Sequence, residues 1–353
     1  MTNQPFLLYG STGYTGDLIA RLAVKQGLRP ILAGRNREKL TAQATELGLE
    51  CRSFSLDDPA TIDTALKDVS VVLHCAGPFS HTSKPMAMAS LRTKTNYLDI
   101  TGEIGVFESL ARHDADAKAA GIMLLPGVGF DVVPSDCLSA HLKRRLSSAT
   151  RLTLAFRNVG GRLSHGTATT MIETIHLGGA IRANGKIVRV PSAWRSRLID
   201  YGRGPVKSVT IPWGDVSTAF YSTGIPNIQV YSVFPPMLVR LMVLGRYTGA
   251  LFATPTMQSM LKRVIQSQPA GPTEQQRAKG ISLLWGQAED DSGKRVTSRM
   301  RTPEGYALTA MTALAIVQRV LAGDAPIGFK TPSLAYGTDF ILQFDNVARE
   351  DIE

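Results

Sequence analysis

Cysteine is scarce: the 353-residue sequence carries only Cys51, Cys75 and Cys137. They are widely spaced and form no Cys-x-x-Cys pair or Cys/His cluster, which excludes a disulfide framework and a zinc-ligand pattern. Reduced thiols of a cytoplasmic protein are the expectation, with Cys75 buried in an apolar strand. No uninterrupted apolar run reaches the roughly 18 residues of a transmembrane helix. No secretory leader is visible, because the earliest apolar run has the length of a strand. Lysine and arginine are spread along the chain and form no run of nucleic-acid type, so the formal net charge of +10 is dispersed. That pattern argues against nucleic acid and fits phosphorylated or acidic ligands. What is present is ample apolar material, 44% hydrophobic against 19% charged residues, enough for two well-buried domains.

The most informative segment is Phe6–Tyr9 followed by Gly10-Ser11-Thr12-Gly13-Tyr14-Thr15-Gly16. An apolar strand ends at a glycine turn, and Leu18, Ile19, Leu22 and Ala23 then recur at helical spacing. This order predicts a phosphate site, because glycines admit a close anion and the helix start aims N–H groups at it. The spacing is Gly-x-x-Gly-x-x-Gly rather than the commonest dinucleotide fingerprint. The turn lies so near the N-terminus that no domain is expected before it.

A second strand, Pro30–Ala33, ends in Gly34-Arg35-Asn36-Arg37. At that place a dinucleotide-binding unit often carries a carboxylate for the adenosine 2′-hydroxyl. Arg35 stands there instead, with Arg37 beside it, and a guanidinium pairs with a 2′-phosphate. NADP(H) is therefore expected over NAD(H); the competing reading is a solvated helix start. Further on, Asp57 and Asp58 precede Pro59 as a helix cap, and Asp57 is also a candidate cofactor-binding residue.

Residues 1–126 alternate apolar runs with helical segments. Strands are expected at Phe6–Tyr9, Pro30–Ala33, Cys51–Ser55, Ser70–Ala76, Asn96–Asp99 and Ile122–Leu125. Helices are expected at 37–47, 60–66, 85–91 and 105–119. The pattern predicts an α/β fold with a doubly wound parallel Rossmann sheet. Domain one is placed at 1–135, with 305–353 packing back on it. Domain two, at 136–304, is expected to be α+β with a largely antiparallel sheet for substrate or dimerisation. Within it we expect helices at 136–146 and 167–181. Strands are expected at 151–156, 186–190, 206–211, 216–221 and 228–234, and a hairpin at 281–289 and 295–301. A long apolar helix follows at 305–321. The stretch 234–264, apolar but broken by Arg240 and Arg246, reads as a membrane-surface helix, a lid over a greasy substrate, or a core or homodimer helix.

The glycine turn and Ala33-Gly34-Arg35-Asn36 resemble the start of the saccharopine dehydrogenase-like oxidoreductases, nearest to the trans-acting enoyl reductases. Three more blocks agree: His74–Phe79, Tyr97–Glu103 and Gly127–Asp136. The C-terminal half fits more loosely, through Thr302–Tyr306 and Gly328–Pro332. The resemblance implies an NADP-binding Rossmann domain followed by a catalytic or dimerising α+β domain. Ala76, Gly77, Pro78 and Phe79 end the fourth strand on the carboxyl edge, where doubly wound sheets bind ligands, and Phe79 is a candidate ring wall. Gly129 and Phe130 follow the sixth strand and are expected on the nicotinamide side. Asp99 and Glu103 either orient a ribose or substrate, or cap the helix near Ile104. Asp136 is expected to cap the following helix.

Hydride transfer needs a proton source or an electrophilic stabiliser. No tyrosine is followed four residues later by lysine, which removes the commonest dehydrogenase pair on this type of sheet. Zinc has no ligand set. Tyr97 and Asp99 are the catalytic candidates, ahead of His81 and His165, and solvent protonation is the alternative. The sequence thus points to an NADP(H)-dependent oxidoreductase acting on an apolar, enoyl- or acyl-type substrate. Its competitors are a reductive C–N oxidoreductase and a non-catalytic NADP(H)-binding sensor or scaffold.

Overall fold

The computed structural model describes residues 5–174, 177–252 and 254–352. The chain divides into two units, Met1–Val133 with Tyr306–Ala335, and Pro134–Gly305 with Tyr336–Glu353. The C-terminal stretch 305–353 is thus shared between the units rather than packing as one piece.

The chain opens with strands β1 (Phe6–Tyr9), β2 (Ile31–Gly34), β3 (Cys51–Ser53), β4 (Val71–His74), β5 (Asn96–Asp99) and β6 (Met123–Leu125). Between them run helices α1 (Tyr14–Lys25), α2 (Arg37–Leu47), α3 (Pro59–Leu66), α4 (Phe79–Thr93), α5 (Ile104–Ala111) and α6 (Asp114–Ala120). Next come α7 (Val133–Arg145), β7 (Arg151–Val159), α8 (His165–Thr174), β8 (Gly179–Ala183), β9 (Lys186–Val190), β10 (Ser196–Asp200) and β11 (Pro205–Thr210). They are followed by α9 (Asp215–Thr223), β12 (Asn227–Ser232), α10 (Pro236–Phe252), α11 (Pro255–Gln266), α12 (Glu274–Lys279), β13 (Ile281–Glu289) and β14 (Arg295–Pro303). The chain closes with α13 (Gly305–Leu321), β15 (Gly328–Phe329), α14 (Pro332–Tyr336) and β16 (Ala348–Asp351).

The first unit holds a seven-stranded sheet in the order β15-β6-β5-β4-β1-β2-β3, parallel at every pairing. Strands β1, β2 and β4 are buried along their whole length, as continuous apolar runs require when helices cover both faces. Because β1 has β2 on one side and β4 on the other, the strand order reverses there. The carboxyl ends of β1 and β4 therefore border the crevice where such sheets bind ligands. Asn36 starts α2 by accepting from Lys39 N at 3.0 Å, and Asp58 starts α3 by accepting from Ala60 N at 3.1 Å. The cap before Pro59 is thus Asp58, not Asp57.

Two helices of this unit differ from expectation. The segment at 105–119 is broken into α5 and α6 at Arg112–His113, and α4 starts at Phe79 instead of Pro85, which lies inside it. Proline at a helix start is only a preference, and here Glu103 supplies an earlier start, as described below.

The second unit is α+β, built on a nine-stranded mixed sheet whose main path is β10-β11-β12-β7-β13-β14-β16. Its pairings are antiparallel except β7 with β12, which run parallel from Arg151 beside Asn227 to Phe156 beside Ser232. The hairpin β13–β14 pairs Trp285 with Arg299 at its middle. The helix expected at 167–181 ends at Thr174; residues 175–176 lie outside the described ones, and Gly179–Ala183 is strand. Pairing with β9, which sets Ile181 opposite Val188, captures that half of the segment. The strand expected at 216–221 is instead helix α9. Asp215 lies in its first turn, Gly224 closes it in the left-handed region, and Val216 and Ala219 share a buried face at helical spacing. Strand β10 was not foreseen, its Ser-Arg-Leu-Ile-Asp sequence being too short and polar to stand out.

Candidate cofactor site

Gly10 ends β1 with φ of +84°, a conformation that only glycine adopts without strain. A Cβ there would lie 2.8 Å from Ala76 N, so the loop after β4 approaches this turn too closely for any side chain. The turn is fixed by Gly10 N donating to Ala33 O at 2.8 Å and Gly13 N donating to Gly10 O at 3.0 Å. Gly13 is the N-cap of α1 and brings no capping side chain, so no N-cap side chain competes with an external anion at this helix start. Gly16 is needed for packing: a Cβ on it would run into the Gly10 carbonyl.

Two further observations fit a phosphate at this turn. The Ser11 hydroxyl is buried without a hydrogen-bond partner, an uncommon state for a buried polar atom. From α2, Gln43 Nε2 donates to Ser11 O at 2.9 Å and to Asp17 Oδ1 at 2.8 Å, which braces the loop from behind. Sequence reasoning missed Gln43, since a lone glutamine in a surface-type helix carries no signal. Tyr14 packs edge-on against Tyr306, with ring centroids 5.2 Å apart; Thr12 is exposed and Thr15 half-buried.

At the end of β2, Gly34 accepts from Phe54 N at 3.0 Å, and Arg35, Asn36 and Arg37 are exposed. The Tyr9 hydroxyl donates to Phe54 O at 3.2 Å. Burial pushes it up to about 12, while the nearby positive charge of Arg35 acts in the opposite sense. β2 pairs with β1 up to Tyr9 beside Ala33, so Arg35 follows the end of β2 on the same sheet edge as the glycine turn. Asp57, exposed, accepts from Ser55 Oγ at 2.5 Å.

The loop after β4 is held by three side chains. Glu103 accepts from Phe79 N at 2.7 Å and Ser80 N at 2.9 Å, so its carboxylate caps α4 rather than its own helix α5. Thr82 Oγ1 donates within reach of Ala76 O at 2.7 Å and Pro78 O at 3.1 Å. His74 Nε2 lies 3.0 Å from that hydroxyl, and burial pushes the imidazole down to about 3. A neutral ring is the consequence; with the Thr82 proton given to a carbonyl, Nε2 carries the hydrogen. Phe79, expected as a ring wall, is buried edge-on against His74 at 5.3 Å. Gly77, by contrast, is exposed. Replacing Glu103 by Ala is expected to lower stability by about 1–2 kcal/mol, through two uncapped N–H groups and a lost helix-dipole contact. Thermal unfolding measures it, and Glu103→Gln should recover part of the loss.

Tyr97 and Asp99 are both wholly buried, with the Tyr97 hydroxyl donating to Asp99 Oδ2 at 2.7 Å. The other carboxylate oxygen accepts from Thr101 N at 3.0 Å and Gly127 N at 2.9 Å. Burial pushes Asp99 up to about 6, against the lowering effect of those hydrogen bonds. Burial, then the charge of Asp99, holds Tyr97 well above its ordinary range. Neither side chain presents a surface to substrate; the pair ties the end of β5 to the loop after β6. That loop is pressed on by α13: a Cβ on Gly129 would lie 2.8 Å from Thr309 Cγ2. Thr309 Oγ1 accepts from Phe130 N at 2.9 Å, and Thr312 Oγ1 donates to Val128 O at 2.7 Å. Threonines inside an apolar helix gave no warning of this role.

Of the remaining candidates, His81 is exposed in the first turn of α4, and the His165 ring lies 2.7 Å from Gln268 O. Asp136 is buried within the first turn of α7, where the Ser222 hydroxyl donates to it. Among the described residues no His, Cys, Asp and Glu group assembles a metal site.

Residues 6–125 match the family model described as the saccharopine dehydrogenase NADP binding domain. The match runs from the start of β1 to the end of β6. NADP(H) is accordingly the cofactor of this unit, in keeping with its open helix start, orphaned serine hydroxyl and exposed arginine. A trans-acting enoyl reductase of Mycobacterium leprae is 35% identical over 148 residues, 40% of this chain and 35% of that protein. A saccharopine dehydrogenase-like oxidoreductase of Bos taurus is 25% identical over 178 residues, 44% of this chain and 42% of that protein. These alignments thus span well under half of either relative. Apo saccharopine dehydrogenase (L-Glu forming) from Saccharomyces cerevisiae shares the fold at a TM-score of 0.68 with 11% identity, over 99% of this chain and 100% of that one.

Proposed function

We propose that the chain is an NADP(H)-dependent oxidoreductase that reduces an apolar, acyl-type substrate. The observation that carries the cofactor half is the Gly10–Gly16 turn, with an uncapped α1 and an unpartnered Ser11 hydroxyl. The substrate half is supported by the relatives named as enoyl reductases.

Bound there, NADPH supplies a hydride. The glycine turn, Ser11 and the first turn of α1 bind the pyrophosphate, and Arg35, assisted by Arg37, pairs with the 2′-phosphate. Asn36 holds the start of α2 in place for that pairing, and Asp57 borders the adenosine side. Ala76, Gly77 and Pro78, together with Gly129 and Phe130, border the nicotinamide side. Glu103, Thr82 and His74 position the first of these loops; Tyr97, Asp99, Thr309 and Thr312 position the second. We assign Tyr97 and Asp99 to positioning and the proton to solvent, since a buried pair satisfied by its own hydrogen bonds has no path to substrate.

Loss of NADPH absorbance on mixing with a panel of enoyl thioesters tests the reaction. Turnover with any member supports it, and none across a varied acyl panel removes the lipid version. The whole-chain fold likeness to a saccharopine dehydrogenase favours a second reading, reductive C–N bond formation. It predicts NADPH oxidation only when a keto acid and an amino acid are supplied together. For the cofactor, Arg35→Asp is expected to weaken NADPH binding about 10- to 100-fold through loss of a charge-assisted contact. NADH binding should be unchanged, as read by fluorescence titration.

A further inference from the structure

The second unit carries an apolar surface that its own core does not use. On α10, Met237, Leu241 and Leu244 follow one another at helical spacing and are 73%, 53% and 58% exposed. On α11, Met260 and Val264 repeat the arrangement at 55% and 56%. An ordinary amphipathic helix turns such a stripe inward; here it faces out, and large exposed apolar patches mark interaction sites.

Charge identifies the occupant. From residue 216 to residue 273 the chain has four cationic residues, Arg240, Arg246, Lys262 and Arg263, and no aspartate or glutamate. Two of the four are committed internally. Arg246 donates to Ser192 O and Ala193 O, each at 2.8 Å, and Lys262 pairs with Glu173 of α8 at 2.5 Å. These contacts fasten the two helices to the unit. Arg240 and Arg263 are exposed beside the apolar stripes.

We propose that α10 and α11 dock the protein on an anionic lipid surface. Their apolar side chains enter the acyl boundary, and Arg240 and Arg263 meet the phosphate headgroups. An interfacial helix has this composition, apolar on the outer face with basic residues and no acidic ones. Spanning is excluded for these elements, since no helix among the described residues is long and apolar enough to cross a membrane. A second copy of the chain suits the face poorly. A twofold contact would bring the same arginines together, with no carboxylate in the segment to answer them. The inference is independent of which substrate is reduced.

Flotation of the full chain with phosphatidylcholine vesicles, with and without phosphatidylglycerol, tests the proposal. The protein should float with the anionic vesicles and release as salt is raised. Arg240→Glu with Arg263→Glu should weaken vesicle binding about tenfold or more. Met237→Asp with Leu241→Asp should abolish it while NADPH titration stays that of the parent, which establishes folding. Absence of flotation overturns the proposal, as does equal binding to neutral vesicles or wild-type binding by both variants. A dimer in light scattering that Met237→Asp with Leu241→Asp disperses, with no vesicle binding, overturns it in favour of self-association.

Discussion

Replacing Gly16 by Ala is expected to weaken NADP(H) binding at least about 100-fold, some 3 kcal/mol. The added methyl would collide with the Gly10 carbonyl and lie 2.8 Å from Ser11 Cα. Both are backbone atoms of the turn, so no side-chain rotation relieves the overlap. Either α1 withdraws from β1 or the turn opens, and each outcome moves the N–H groups away from the pyrophosphate. Gly105→Ala is the control: nothing lies within 4 Å of its Cβ position, and it sits in the first turn of α5. That variant should bind NADPH normally and be slightly more stable, by about 0.5–1 kcal/mol, because alanine favours helix over glycine. Isothermal calorimetry of both variants measures the contrast. Equal affinity would show that the turn is not the phosphate site.

The Asp99→Ala variant should lose about 3–5 kcal/mol of stability, since it strands a buried hydroxyl and two buried N–H groups at once. Asp99→Asn should cost far less. Its carbonyl still accepts from Thr101 N and Gly127 N, and its amide donates to Tyr97. The two substitutions also differ in their response to pH. Burial raises Asp99 to about 6 in the folded chain, above its ordinary 3.8. The folded state therefore holds this proton more tightly than the unfolded state does. The resulting stabilisation is complete below pH of about 4 and is lost as pH rises through about 6, a change of order 3 kcal/mol. Asp131, raised by burial to about 7, acts in the same direction with its loss extending about one unit higher. Urea unfolding across this range should show a shallower decline for Asp99→Asn than for the parent. A parallel decline in both would assign the effect to other groups.

Most of the first sheet was readable because β1, β2, β4 and β6 are short, largely apolar runs and several crossovers begin with a cap or a turn. Gly10, Asn36 and Pro59 are such signals, and they fall within a residue or two of the observed boundaries. The second unit was harder for the opposite reason. Val216–Tyr221 is rich in β-forming types, yet burial of Val216 and Ala219 on one face makes it a helix. Strand β10 has charged residues at its start and takes its conformation from pairing with β11. Tertiary context decides such segments, and local pattern does not contain it.

The site followed the same division. Glycine spacing and an arginine after β2 are local signals, and they led to the cofactor. The positioning residues are not local. Glu103 reaches 24 residues back to cap α4, and Thr309 accepts from a backbone N–H 179 residues away. Tyr97 and Asp99 looked catalytic because a phenol and a carboxylate at a strand end suit proton transfer. Their mutual hydrogen bond and complete burial, which no spacing rule reports, are the grounds on which we assign them to positioning.

The central claim is that the Gly10–Gly16 turn and Arg35 together form an NADP(H) site. Parallel fluorescence titrations of the unmodified chain with NADPH and NADH test it most directly. Saturable binding of one NADPH per chain, tighter than NADH by about tenfold or more as one charge-assisted phosphate contact provides, is the predicted result. Equal affinity for the two, or no saturable binding of either, would contradict it.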